Sequence, residues 1–205
     1  MFFDRDGTLN AQVWRAGRRT SARHEREWAA LPGVQECFGR LRAAGALISL
    51  VTNQPDLSRG LVDRAALERM HHRLGPLDGV FVCPHTACQR CACRKPAGGL
   101  LRQAAGQLSV DLSDSYVVGD RPTDAQAGIG VGCTAILLTP RIPPRPSMVP
   151  GLHYAADLVD AADTVLRHRR TEADRHGHCP PSSKETPDEA RHHSRPVRIR
   201  RPLRR

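Results

Sequence analysis

Short apolar runs and amphipathic stretches alternate along this chain. The runs are "MFF" at the start, "ALISLV" at 46–51, "GVFVC" at 79–83, "SYVVGD" at 115–120 and "TAILLT" at 134–139. Each is too short for a helix and reads as a buried strand. Between them the apolar positions recur with helical period. In "PGVQECFGRLRAAG" Val34, Phe38 and Leu41 share a face, Pro32 suits a first turn and Gly45 a C-terminal stop. In "VDRAALERMHHRLG" Leu67, Met70 and Leu74 share a face behind Asp63, which is placed to cap. Further helices are predicted over "GGLLRQAAGQL", "TDAQAGIGVG" and "DLVDAADTVLRHRR". Strands alternating with helices predict an α/β fold, a doubly wound parallel sheet covered on both faces.

The strand ends carry the chemistry. Each of three apolar runs stops at a polar cluster: Asp4 and Asp6, then Thr52 and Asn53, then Asp120. In a parallel sheet these ends lie along one edge, where open α/β sheets bind ligands. Two carboxylates at i and i+2 with a third at another strand end form an oxygen-rich set suited to Mg²⁺. One carboxylate, Asp4, can attack a phosphoryl group in line. The other, Asp6, can protonate the leaving oxygen and later activate water. The Thr52 hydroxyl, backbone N–H groups after Asp4 and the Lys95 cation are candidate donors to the phosphoryl oxygens.

Composition changes the picture at the C-terminal end. From Arg169 to Arg205 eleven Lys/Arg face five Asp/Glu, so most of the chain's net charge of +10 sits there. The segment is rich in Pro, Ser and charge and poor in large apolar residues, so it is expected to be a disordered basic tail after a domain over 1–168. Such a tail can touch nucleic acid or anionic lipid, but a solvated extension is the expected reading. No apolar run approaches membrane-spanning length, and the first residues lack a signal-peptide pattern, so a cytoplasmic location is expected. Seven cysteines are present, four of them (Cys83, Cys88, Cys91, Cys93) within eleven residues beside His85. In a reducing compartment such crowding favours metal over disulfide. Cys83, His85, Cys91 and Cys93 are the right types and number for a closed tetrahedral zinc site, with Cys88 as a fifth candidate.

Taken together and in this order, "DRDGT", "VTNQ", "CRKP" and "VVGDRPTD" resemble the haloacid dehalogenase superfamily of aspartate-nucleophile phosphatases, over roughly Met1 to Leu166. The resemblance implies a Rossmann-like sheet without a large cap domain, with Mg²⁺ at Asp4, Asp6 and Asp120, catalysis by Asp4, Asp6, Thr52 and Lys95, and substrate contacts at Asn53, Gln54, Arg94 and Arg121. "CPHTACQRCACRKP" looks like the zinc loop shared by heptose bisphosphate phosphatases and histidinol-phosphate phosphatases, which implies Zn²⁺ at Cys83, His85, Cys91 and Cys93. "TNQPDLSRG" is similar to the heptose group and "GDRPTDAQ" to the histidinol group. The expected activity is that of a monomeric phosphomonoesterase on a small phosphorylated metabolite, foremost a sugar bisphosphate, with histidinol phosphate as the alternative. A non-catalytic, zinc-stabilised nucleic-acid-binding module is the reading of another class, and the full catalytic set argues against it. Two departures stand out. The stretch after Asn10, "AQVWRAGRR", lacks the D-x-G-Y-type segment of the heptose group, and its Arg18 and Arg19 can bind a second phosphate or be solvated. The first strand also has fewer apolar residues before Asp4 than is usual in the superfamily.

Overall fold

The computed structural model describes residues 1–143 and 147–177. Six strands form one parallel sheet: β1 (Phe2–Phe3), β4 (Ser49–Asn53), β5 (Gly79–Cys83), β6 (Tyr116–Gly119), β7 (Thr134–Leu138) and β8 (Leu152–Ala155), in the order β5-β4-β1-β6-β7-β8. The chain builds outward from β1 through β4 to β5, then crosses back to β6 and continues the other way. The crevice at this reversal lies between β1 and β6.

Helices cover both faces. On one face, α1 (Val34–Ala43), α2 (Arg64–His72) and α5 (Leu158–Gly177) enclose a core with Phe3, Leu50 and Val118. On the other, α3 (Gly99–Leu108) and α4 (Pro122–Ile129) pack with Phe2, Val51 and Val117. Adjacent strand residues thus serve opposite cores, which is why these strands are apolar throughout. The predicted caps are present: the Asp63 carboxylate accepts from the Ala66 N–H at 2.7 Å, and Gly45 has φ 79° just past α1. Pro32 lies one residue before the Gly33 N-cap of α1 and so outside its first turn.

β1 is two residues long yet central. Phe2 and Phe3 pair with Ser49 and Leu50 on one side and with Val117 and Val118 on the other. Single backbone bonds extend the pairing at both ends, from the Ser49 N–H to the Met1 carbonyl and from the Asp4 N–H to the Val118 carbonyl, each 2.9 Å. Two features lie outside the predicted set. One is β8. The other is an antiparallel ribbon of β2 (Val13–Arg15) and β3 (Arg18–Thr20), turned by Ala16 and Gly17, both at positive φ as a tight two-residue hairpin demands. The two ribbon strands are three residues each and largely polar, too short to show alternation.

The last helix runs through Gly177, past the boundary expected at Arg169, and Arg169 itself donates to the Ala44 carbonyl at 3.1 Å. The first part of the expected tail is therefore helical. The rest of it lies outside the described residues. Among the described residues no helix is long and apolar enough to cross a membrane.

Candidate active site

Because β4, β1 and β6 are neighbours, their carboxyl ends bring Thr52 and Asn53, Asp4, and Asp120 together. The turn after β1 is fixed by Gly7, at φ 89°, where a Cβ would sit 2.3 Å from Asp120 Oδ2. Any side chain there would drive the strand ends apart.

Lys95 is the hub of the site. Its ammonium is buried and points its three protons at Asp4 Oδ1 (2.7 Å), Asp124 Oδ1 (2.6 Å) and the Val51 carbonyl (2.8 Å). Burial draws the ammonium's proton affinity down, but the Asp4 and Asp124 carboxylates more than offset this and hold it above the ordinary lysine value. Burial likewise pushes Asp4 up, to about 6, against the opposing Lys95 charge. Asn53 positions the backbone of Lys95: its amide donates to the Lys95 carbonyl and accepts from the Lys95 N–H, each at 3.1 Å.

Asp4, Asp120 and Asp124 offer carboxylate oxygens that all lie within 4.8 Å of one another. Asp120 Oδ1 is buried with no hydrogen-bond partner, an orphaned acceptor of the kind a hard cation satisfies. Asp124 is the functional side chain that sequence reasoning passed over. It stood in "VVGDRPTD", four residues after Asp120, and the first turn of α4 carries it back under the strand ends.

The Asp6 carboxylate is not part of this cluster, whereas its main-chain carbonyl lies beside it, accepting at 3.0 Å from the Gln12 amide that also reaches Asp120 Oδ2 at 3.3 Å. The fully buried Arg5 guanidinium forks onto it, with Nε at 3.1 Å and Nη2 at 2.9 Å. Asn10 (3.1 Å), Gln54 (2.7 Å) and Ser21 (2.9 Å) donate as well. Five donors saturate the roughly four lone-pair directions of a carboxylate, leaving none for a cation. Burial alone would raise Asp6, but the Arg5 charge and these hydrogen bonds hold it below the usual carboxylate range. Gln54 differs from expectation too. It is buried, and its amide is engaged with Asp6, Thr52 and Arg5 instead of facing a ligand. Since Gln54 donates to Thr52 Oγ1 at 2.8 Å, the Thr52 hydroxyl proton is left for another acceptor.

Above these residues opens a cleft of about 570 Å³ bordered by Asp4, Asp6, Asn53, Arg94, Lys95, Arg121 and Asp124, together with Arg19, Arg23 and Arg59. Arg94 reaches it from the loop after β5 and donates to the His85 carbonyl at 3.0 Å.

A family profile described as HAD-hydrolase-like matches residues 92–140. The D-glycero-β-D-manno-heptose-1,7-bisphosphate 7-phosphatase of Bordetella bronchiseptica is 36% identical over 146 residues, 67% of this chain and 79% of that protein. Its counterpart in Pseudomonas aeruginosa is 35% identical over the same shares. The chain belongs to the haloacid dehalogenase superfamily of phosphatases. It is a hydrolase of phosphoric monoesters. The crystal structure of the B. bronchiseptica D,D-heptose 1,7-bisphosphate phosphatase, complexed with magnesium and phosphate, superposes with a TM-score of 0.70 at 35% identity, covering 82% of this chain and 98% of that one.

Next to the phosphatase cleft lies a second donor set. Cys83 ends β5, and the Sγ atoms of Cys83, Cys91 and Cys93 with Nδ1 of His85 stand 3.2–3.6 Å apart in the pairs that touch. A zinc tetrahedron with Zn–S near 2.3 Å and Zn–N near 2.0 Å has edges of roughly 3.5–3.8 Å, so the four donors fit that ion. Cys88 stands apart. It is exposed, on a short 3-10 turn, with its Sγ 3.3 Å from Thr86 Oγ1.

Proposed function

We propose that this phosphatase removes one phosphate from a sugar bisphosphate, D-glycero-β-D-manno-heptose 1,7-bisphosphate, through a phosphoenzyme on Asp4. The observation that carries the reading is the buried Asp4–Lys95–Asp124 array, with Asp120 beside it, at the floor of a cleft rimmed by arginines. The similarity to heptose bisphosphate phosphatases over 67% of the chain supports the substrate.

Asp4 attacks phosphorus with the oxygen not engaged by Lys95, and the bond from phosphorus to the sugar oxygen breaks. The leaving oxygen takes a proton from Asp6. Arg5 holds Asp6 ionised in the free protein, but an arriving phosphoryl dianion raises its proton affinity and supplies the condition for it to carry that proton. Ser21 borders the cleft and bonds Asp6 Oδ2, so the Ser21 hydroxyl is the donor that yields when the leaving oxygen enters. Once Asp4 is esterified its charge is gone, and the Lys95 proton it accepted turns to the phosphoryl oxygens, beside the free Thr52 hydroxyl. Asp6, again a carboxylate, then takes the proton of the water that attacks phosphorus and frees Asp4. Asp120 with Asp4, and Asp124 alongside, would hold magnesium, which would supply positive charge to the phosphoryl oxygens. Cys83, His85, Cys91 and Cys93 would hold zinc with all four positions filled by protein donors, and so would fix the loop that ends in Arg94 and Lys95 without supplying chemistry.

Phosphate release is the test. With Mg²⁺, turnover of heptose 1,7-bisphosphate is expected to exceed that of histidinol phosphate, to cease with chelator and to vanish in Asp4→Asn. Faster release from histidinol phosphate would move the substrate to the histidinol group, and a fully active Asp4→Asn would overturn the nucleophile.

A further inference from the structure

Six cationic and four acidic side chains border the cleft over Asp4. Most of the cations are already engaged. Arg23 and Arg59 both bond Asp56, at 2.8 and 3.1 Å. Lys95 is held by Asp4 and Asp124, and Arg94 donates to the His85 carbonyl. Arg121 stands at the start of α4 next to Asp120, on the side where the phosphoryl group is transferred.

Arg19 is different. It sits on the β2–β3 ribbon, and no carboxylate among the described residues pairs with it. Its contact is the ring of Trp14, its cross-strand partner, with Cζ 5.6 Å from the ring centroid. A guanidinium stacked on an indole is oriented in advance while its N–H edge stays free for an anion. Arg19 also borders a second cavity, of about 660 Å³, lined by Gln12 and Trp14 among others, so it borders both spaces. The neighbouring Arg18, equivalent to it in sequence terms, pairs in register with Arg15 and borders neither.

We propose that Arg19 is a specificity-determining residue that grips the second phosphate of the substrate, the one not being transferred. This rests on the bisphosphate reading above. A net cationic cleft favours a ligand with two anionic ends, and the end bound over Asp4 leaves the other to the one cation of the ribbon that faces the cleft. The ribbon is also where this chain departs from the D-x-G-Y-type segment of the heptose group, so the contact belongs to this sequence and not to the shared site.

Steady-state kinetics on two substrates decide it. In Arg19→Gln the KM for heptose 1,7-bisphosphate is expected to rise about ten- to a hundredfold with kcat little changed, the worth of one charge-assisted hydrogen-bonded contact. Arg19→Lys is expected to recover part of that loss. The constants for p-nitrophenyl phosphate, which has no second phosphate, are expected to stay within twofold. Equal losses on both substrates, or no loss on the bisphosphate, would overturn the role of Arg19 while leaving the substrate reading intact. A wild-type enzyme that cleaves p-nitrophenyl phosphate but ignores the bisphosphate would overturn the substrate reading, and the Arg19 proposal with it.

Discussion

Between the two aspartates of "DRDGT" stands a side chain whose weight the sequence hides. Arg5 is fully buried, forks onto Asp6 and also donates to Gln54 Oε1 at 3.1 Å. A buried ion pair adds little over a matched apolar pair, but removing one partner leaves an uncompensated charge in a low-dielectric site. Arg5→Met is therefore expected to lower the unfolding free energy by about 3–5 kcal/mol in urea denaturation. Arg5→Met with Asp6→Asn is expected to lose much less than the two single losses added, because the stranded charge is gone. A loss below about 1 kcal/mol in Arg5→Met would show that water, not the guanidinium, satisfies Asp6. At this scale the sequence was legible for residue types and opaque for direction. Asp4, Thr52, Lys95 and Asp120 could be picked because each stands at a strand end or beside a motif. That Asp6 turns to Arg5 while Asp124 turns to Lys95 depends on loop path, which no local pattern encodes.

The loop from the end of β5 to the start of α3 holds its own geometry by two means. Four donor atoms converge at one end, and at the other Gly99 lets the loop lie against the helix, since a Cβ there would be 2.3 Å from the Ala92 carbonyl oxygen. Arg94 and Lys95 follow directly, and the Asn53 amide clamps Lys95 from β4. A small displacement of a positioning group costs roughly a hundredfold in rate. Cys91→Ser is thus expected to reduce bound zinc toward zero and activity by about that factor, with no recovery on added Mg²⁺. Elemental analysis and kinetics on one sample check this. Wild-type protein without stoichiometric zinc, or a Cys91→Ser variant with full zinc and full activity, would contradict the assignment. Cysteine spacing made this element readable in the sequence. The Asn53 clamp was not, because it joins residues 42 positions apart through backbone atoms.

For the molecule as a whole, alternating patterns were enough to give the parallel sheet, its two faces and the edge where the site lies. β8 and the β2–β3 ribbon escaped, being held by pairing to their neighbours and not by any period of their own. Nor could any pattern show how the two cores share charge with the site, and His71 is the instance that sets a pH dependence on the entire fold. It lies on the buried side of α2 with Nε2 unpartnered. Burial first, and the Arg5 charge second, depress its proton affinity from the ordinary 6.5 to about 3. Between those values the unfolded chain binds a proton that the folded protein refuses, so unfolding free energy rises with pH across that window. The contribution is fully present above 6.5 and is lost as pH falls toward 3. From pH 7 to pH 5 it amounts to about 2 kcal/mol. His71→Leu is expected to shrink the difference between the unfolding free energies at those two pH values by about 2 kcal/mol relative to wild type, while unfolding no more easily at pH 5 than wild type. A folded-state titration of His71 near 6.5 by NMR, or a variant with an unchanged pH slope, would mean that the imidazole reaches water and that the α2 face is not sealed against β1 and its buried arginine.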